Sequence, residues 1–347
     1  DRWCARPVLQ RIHRASLGVL RREIEPRPME AYARFALEWQ HVTRRAPLVD
    51  VLEKLEGYPL PIEAWRDIVG PRVAEFRELE EAVRAGDIVA AGLRPGWFCW
   101  FARGRGGLFL PEPAELGRGA QALLEYLHAQ GGATLLEIRR ETELGLAAVN
   151  TALAELFWAG KITCDALREI EKLGRPRRAA REAEPERQVL RDPLARPTRR
   201  EAVARFRQAF RRLPGWEGRW TLVRRRAVGE ETRREELARV ALTRYGVLAR
   251  EWWRHEEPPA PWSAIYPVLE RMEWRGELRR GHFVEGLAGM QFCLPEAVEK
   301  LRAVGRTGEV TLNACDPANP YGPEAVRRRP GNRVVLRDGA LATDTNH

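Results

Sequence analysis

Lysine is scarce in this sequence. Only Lys54, Lys161, Lys172 and Lys300 occur, so all but four of the 59 basic residues are arginine, whose planar fork of donors pairs with phosphate and stacks on rings. Cysteine is equally thin. Cys4, Cys99, Cys164, Cys293 and Cys315 lie scattered without a C-x-x-C pair, which excludes a ligand-spaced zinc site and a disulfide framework and fits a reducing cytoplasm. No run of about 18 uncharged apolar residues exists to cross a membrane, and the N-terminus lacks a charged-then-apolar leader pattern. The start at Asp1-Arg2-Trp3 reads as a piece of something larger. The six histidines form no H-E-x-x-H, no serine sits in a G-x-S-x-G elbow, and no G-x-x-x-x-G-K-[ST] loop occurs. Metalloprotease, α/β-hydrolase and P-loop ATPase chemistry therefore lack their motifs, and no metal or cofactor of this chain's own is expected.

What is present is a chain of 347 residues, 44% hydrophobic, long enough for two or three cored domains. Its formal charge of +10 and pI near 9.9 favour a polyanionic partner such as nucleic acid.

Periodicity and proline punctuation give two opening helices, Arg11 to Glu23 and Met29 to Val42, broken by Glu25-Pro26-Arg27-Pro28. In the second, Tyr32, Phe35, Ala36 and Trp39 make one apolar face. An internal repeat then shows at three helix ends: Arg84-Ala85-Gly86-Asp87-Ile88, Trp158-Ala159-Gly160-Lys161-Ile162 and Trp274-Arg275-Gly276-Glu277-Leu278. Each joins a long amphipathic helix, a terminating glycine and a β-forming residue. Before the second and third copies come a helix (Gln121 to His128; Glu236 to Arg244), a glycine break and a short helix. The spacings His128 to Gly160 and Arg244 to Gly276 are both 32 residues. Three helices whose last turns into a strand are the sequence pattern of a winged helix, whose third helix usually reads a groove.

The expected class is mainly α with small β elements (α+β): tandem winged-helix units plus a β-barrel-like module. The expected domains are 1–93, N-terminal helices and a first winged-helix-like unit; 94–173, a β hairpin and second winged helix; 174–213, an arginine-rich linker; 214–305, a third winged helix; and 306–347, a partial β-barrel segment. Residues 175–212 hold 13 arginines against five acids, and a helix striped by Val203, Phe206 and Phe210 is expected within Arg200 to Arg212. Ile88 to Leu93, Trp97 to Arg103, Gly107 to Leu110, Glu309 to Ala314 and Asn332 to Leu336 read as strands. Gly104-Arg105-Gly106-Gly107 reads as a hairpin turn rather than a phosphate cradle, and Asp338-Gly339 as a hairpin turn without its return strand.

Two clusters suit nucleic acid. Trp39-Gln40-His41 leaves the second helix beside Arg34, Arg44 and Arg45, where a ring would stack on unpaired bases and the arginines would hold phosphates. Ser263 and Tyr266 open the third repeat's long helix, with Arg279, Arg280 and His282 on its wing.

Several runs resemble the signature region that follows the motor in Lhr-type (large helicase-related) DNA helicases. They are Arg11-Ile12-His13-Arg14, Leu20 to Pro26, Arg34 to Val42, Arg244-Tyr245-Gly246-Val247, Ser263 to Leu269, Arg280 to Leu287, Gln291-Phe292 and Asp316-Pro317-Ala318-Asn319-Pro320-Tyr321-Gly322. The resemblance implies a superfamily 2, ATP-dependent 3′-to-5′ translocase in DNA repair, with ATP and Mg in motor domains outside this chain. This part would then grip single-stranded or 3′-tailed DNA, dock on the motor domains, and sit in the cytoplasm at the nucleoid. It places base stacking on Trp39 and adds Arg14 to the DNA-binding set.

The resemblance extends to helix-turn-helix DNA glycosylases, which combine three winged-helix units with a β-barrel. This implies base excision as an alternative, with Gln40, His41 or Asp316 as catalytic candidates. Gln40-His41-Val42 lacks the third polar residue of the glycosylase motif. A third reading is an oligomerisation or docking platform built on Trp97, Trp100 and Trp252-Trp253.

Overall fold

The computed structural model describes residues 25–110, 115–142, 145–174, 218–256 and 260–342, grouped in two compact units. The expected first helix, Arg14, and the stripe of Val203, Phe206 and Phe210 lie outside the described residues.

Along the chain the elements are α1 (Met29–Trp39), α2 (Leu48–Leu55), β1 (Leu60–Pro61), α3 (Trp65–Val69), α4 (Phe76–Ala85), β2 (Ile88–Arg94), β3 (Trp97–Ala102), α5 (Gly106–Phe109), α6 (Arg118–Gln130), β4 (Ala133–Thr134), α7 (Leu135–Thr142), α8 (Leu146–Trp158), β5 (Ile162–Cys164), α9 (Leu167–Leu173) and β6 (Arg219–Leu222). Then follow α10 (Glu230–Tyr245), β7 (Val247–Leu248), α11 (Arg250–Trp253), α12 (Trp262–Trp274), β8 (Arg279–Gly281), β9 (Gln291–Cys293), α13 (Pro295–Ala303), β10 (Glu309–Asn313), β11 (Arg333–Arg337) and β12 (Ala340–Leu341).

The order helix, strand, helix, helix, strand, strand occurs three times, α2 to β3, α6 to β6 and α10 to β9, with α9 inserted between the last two strands of the second copy. Each small sheet places its last strand in the middle, β1-β3-β2, β4-β6-β5 and β7-β9-β8, all antiparallel. That is winged-helix order. The glycines Gly86, Gly160 and Gly276 all carry left-handed φ, between 62° and 77°, which lets each long helix stop and its chain turn into a strand without a Cβ clash.

In the second copy β6 pairs with β5 in register Ile162↔Leu222 and Cys164↔Trp220. The strand at 219–222 thus belongs to this copy's sheet rather than to the third, and the arginine-rich stretch lies in sequence between two paired strands. The segment 107–110, expected as a strand, is the one-turn helix α5 instead. The reason is that β3 already has β1 on one side and β2 on the other. Leu108, Phe109 and Leu110 therefore bury by winding, with Leu110 N–H donating to Gly106 O at 3.1 Å. The β2–β3 turn is at Gly96, φ 83°.

In the first unit α1 is buried over most of its circumference, at Ala31, Tyr32, Ala33, Phe35, Ala36, Leu37 and Trp39, leaving a stripe of Glu30, Arg34 and Glu38 toward solvent, and packs on α10, α13 and β12. Tyr32 stacks on Trp252 at 4.1 Å and donates its hydroxyl to Tyr245 O at 3.0 Å. Ala33 and Leu37 join Leu312, Val334 and Leu336 in one core. The sheet beneath is the antiparallel meander β10-β11-β12. No closed barrel is present among the described residues. The turn Asp338-Gly339 has φ 48° and 86° and does have a return strand, β12.

Candidate nucleic-acid interface

The α1 terminus does not present a stacking face. Trp39 is 8% exposed, because it lies on the broad apolar face of α1, away from the stripe of Glu30, Arg34 and Glu38, and its neighbours close over the ring. Phe35 stacks on it at 5.3 Å, and the Lys54 and Lys300 ammonium groups sit 3.8 and 4.8 Å from its centroid. Its indole N–H and Lys54 Nζ both donate to Thr243 O, at 2.8 and 2.9 Å. Burial and the neighbouring Lys300 hold the Lys54 amine down to about 8.

Gln40 and Asp316 are wholly buried and meet at one arginine. Arg72 donates to both Asp316 oxygens, at 2.9 and 2.7 Å, and lies 3.4 Å from Gln40 Oε1. Asp316 also accepts from Ala318 N–H at 2.8 Å. A carboxylate so held is a structural counter-ion, which corrects its candidacy as a base. His41 is half-buried, with φ 59° in the turn that ends α1. Burial, and then Lys54, push its imidazole below the ordinary 6.5, so it is neutral at pH 7. Arg34 is partly buried and donates to Asp338 O at 2.7 Å, while Arg44 is exposed on the loop after α1.

The third copy presents a more open face. Ser263, Pro267 and Trp274 are exposed along one side of α12, as helical spacing requires, and Arg279 and His282 are exposed on the wing. Arg280 is tied to Glu270 at 2.7 Å and Glu273 at 3.1 Å, with Tyr266 also bonded to it. Around it Arg275 pairs with Glu235 and Glu277, Arg239 with the same two acids, and Arg271 with Glu231. Each such pair is worth little to stability but cancels positive charge facing a phosphate.

The side chain that sequence reasoning missed here is Trp274, 79% exposed at the end of α12. Its signal was the repeat itself. The equivalent Trp158 of the second copy packs edge-on against Phe157 at 5.0 Å. Conversely Trp100, Trp252 and Trp253 are at most 3% exposed and Trp97 lies under Arg94, so these tryptophans offer no open docking surface.

Residues 28–102 and 227–312 match models described as large helicase-related protein, winged-helix domain; these are the first and third copies. The chain is 31% identical over 381 residues to a Mycolicibacterium smegmatis protein named "Lhr helicase/ probable uracil glycosylase" and 28% identical over 398 residues to an Escherichia coli "Lhr helicase/uracil glycosylase". Each alignment covers 98% of this chain and 25% of the relative, so the chain spans about a quarter of the curated relatives' length. The solved Streptomyces sahachiroi DNA glycosylase AlkZ is similar in fold, with TM-score 0.55 and 15% identity, over 91% of this chain and 87% of that one.

Proposed function

We propose that this chain, two segments of which are winged-helix domains of the large helicase-related protein, is the DNA-gripping module of an Lhr-type ATP-dependent 3′-to-5′ helicase acting in DNA repair. In that role it holds single-stranded or 3′-tailed DNA while motor domains supplied elsewhere, using ATP and Mg, pull the strand. The observation that carries the reading is the exposed face of α12, where Ser263 offers a hydroxyl, Trp274 a ring, and the wing Arg279 and His282. Hydroxyl and cationic groups suit phosphates, and an exposed indole suits an unpaired base. The test is fluorescence anisotropy of the chain with labelled single-stranded, 3′-tailed and blunt duplex DNA over a salt series. Tighter binding to single-stranded and tailed DNA, weakening steeply as salt rises, supports it; no binding at low salt sinks it.

Base excision is a second reading, favoured by the names of both relatives. Of its three candidate residues only His41 is neither fully buried nor held by a counter-ion. Incubation with a uracil-containing oligonucleotide followed by alkali tests it: strand cleavage that His41→Ala abolishes supports the reading, and intact strands overturn it.

A further inference from the structure

The second unit holds a feature that neither the repeat nor the α12 face accounts for. A half-open cleft of about 450 Å³ is lined by Arg103, Gly104, Arg105, Arg224, Arg225 and Arg226. Among the described residues every ionisable group lining it is arginine, in a chain with 49 acidic residues.

Two turns distant in sequence build it. One follows β3 and leads into α5; the other follows β6. An antiparallel bridge between Arg105 and Arg225 lays their backbones side by side. The junction is closely packed at Gly106, where a Cβ would meet the Phe101 ring at 3.1 Å and Val223 at 3.4 Å.

Two of the guanidinium groups are fixed by helix ends. Arg103 donates to Gly86 O at 2.6 Å and Ala85 O at 2.7 Å, the closing carbonyls of α4. Arg225 donates to Ala159 O at 3.2 Å and Gly160 O at 2.9 Å, after α8. Cations are favoured at helix C-termini, so these contacts set the two arginines in place. Arg224 and Arg226 flank Arg225 and are exposed. Arg103, Arg224 and Arg226 thus stand exposed around a cleft whose floor is held by the backbone bridge, an arrangement that suits a polyanion.

We infer that this cleft is a phosphate-binding site for the DNA backbone, taking consecutive phosphodiesters of one strand. This deepens the proposed function and rests on it. A strand fits better than a small anion because Arg103, Arg224 and Arg226 are exposed, so a polymer can pass over them.

The experiment is anisotropy of the whole chain with a labelled oligothymidylate over a salt series, comparing wild type, Arg224→Ala/Arg226→Ala, and Arg139→Ala/Arg140→Ala, two exposed arginines of α7, as a charge-matched control. The cleft variant is expected to bind at least about tenfold more weakly, with the slope of log K against log salt reduced by roughly 1.4, two single-strand contacts' worth. The control should change less. If the wild type binds and the cleft variant binds equally well, the cleft inference falls and the proposed function stands. If the wild type binds no DNA, both fall. If inorganic phosphate displaces the strand at equal phosphate concentration, the site is one for free anions and the inference falls. Phenylglyoxal modification of the wild type, read by mass spectrometry, provides a test independent of the variants. Oligothymidylate should protect Arg224 and Arg226, and their equal modification with and without DNA overturns the proposal.

Discussion

Arg72 and Asp316, 244 positions apart, close a two-pronged ion pair in which neither side chain is exposed to solvent. It joins the turn after α3 to the loop after β10 in the first unit. Removing one partner of such a pair strands a buried charge, so Asp316→Asn should lower the unfolding free energy by about 3 to 5 kcal/mol. The double variant Arg72→Met/Asp316→Leu should lose less. Urea unfolding of the variants measures both. Asp316→Asn unfolding at the wild-type midpoint would remove the structural role assigned to the pair.

Trp39→Ala should act on the fold rather than on one base contact. The ring is 8% exposed, is stacked by Phe35 and donates to Thr243 O. Truncating a buried tryptophan costs roughly 3 to 5 kcal/mol, and Trp39→Phe should recover part of that. Thermal unfolding separates this from a contact role, in which Trp39→Ala would keep the wild-type Tm and lose DNA affinity alone.

How far the sequence revealed this molecule depends on the range of the interactions concerned. The glycines Gly86, Gly160 and Gly276 marked three helix ends correctly because a left-handed C-terminal residue is a local requirement. The equal 32-residue spacing marked the second and third copies for the same reason. The pairing of β6 with β5 was not legible, since strand partners far apart in sequence are selected by tertiary packing. Nor was the contrast between Trp39 and Trp274. Periodicity places both on helices, and only the neighbours decide that the end of α1 is covered at Trp39 while the end of α12 is open at Trp274. The Arg105–Arg225 bridge was hidden likewise, although the two arginine-bearing turns could be read separately.

Trp274→Ala is expected to leave stability within about 0.5 kcal/mol of wild type, as for most surface positions. Its effect should fall on single-stranded DNA, where losing one stacked ring weakens binding by roughly 1 to 3 kcal/mol. Blunt duplex, with its bases paired, should be affected much less. Anisotropy with both ligands reads the difference, and equal affinity of the variant and wild type for single strands would remove Trp274 from the interface.

His255 supplies the acid limit of the fold. Its imidazole is pushed down to about 3, first by burial and then by the Arg328 guanidinium. Arg328 is itself anchored, donating to the Tyr58 hydroxyl at 2.7 Å and to Cys315 O and Asp316 O at 3.1 Å, so it is not free to swing away from a new charge. In the unfolded chain the same group takes up its proton near the ordinary 6.5. The folded state therefore binds fewer protons between these values. This group's effect is nil above pH 6.5 and grows as a destabilisation as pH falls toward 3, amounting to roughly 1 to 2 kcal/mol at pH 5. His255→Gln has no proton to take up, so its unfolding free energy should fall less steeply than that of wild type between pH 6.5 and 4. The difference between the two curves isolates this histidine from the carboxylates titrating over the same range. Parallel curves would show that His255 is protonated in the folded state, and that Arg328 does not oppose its charge.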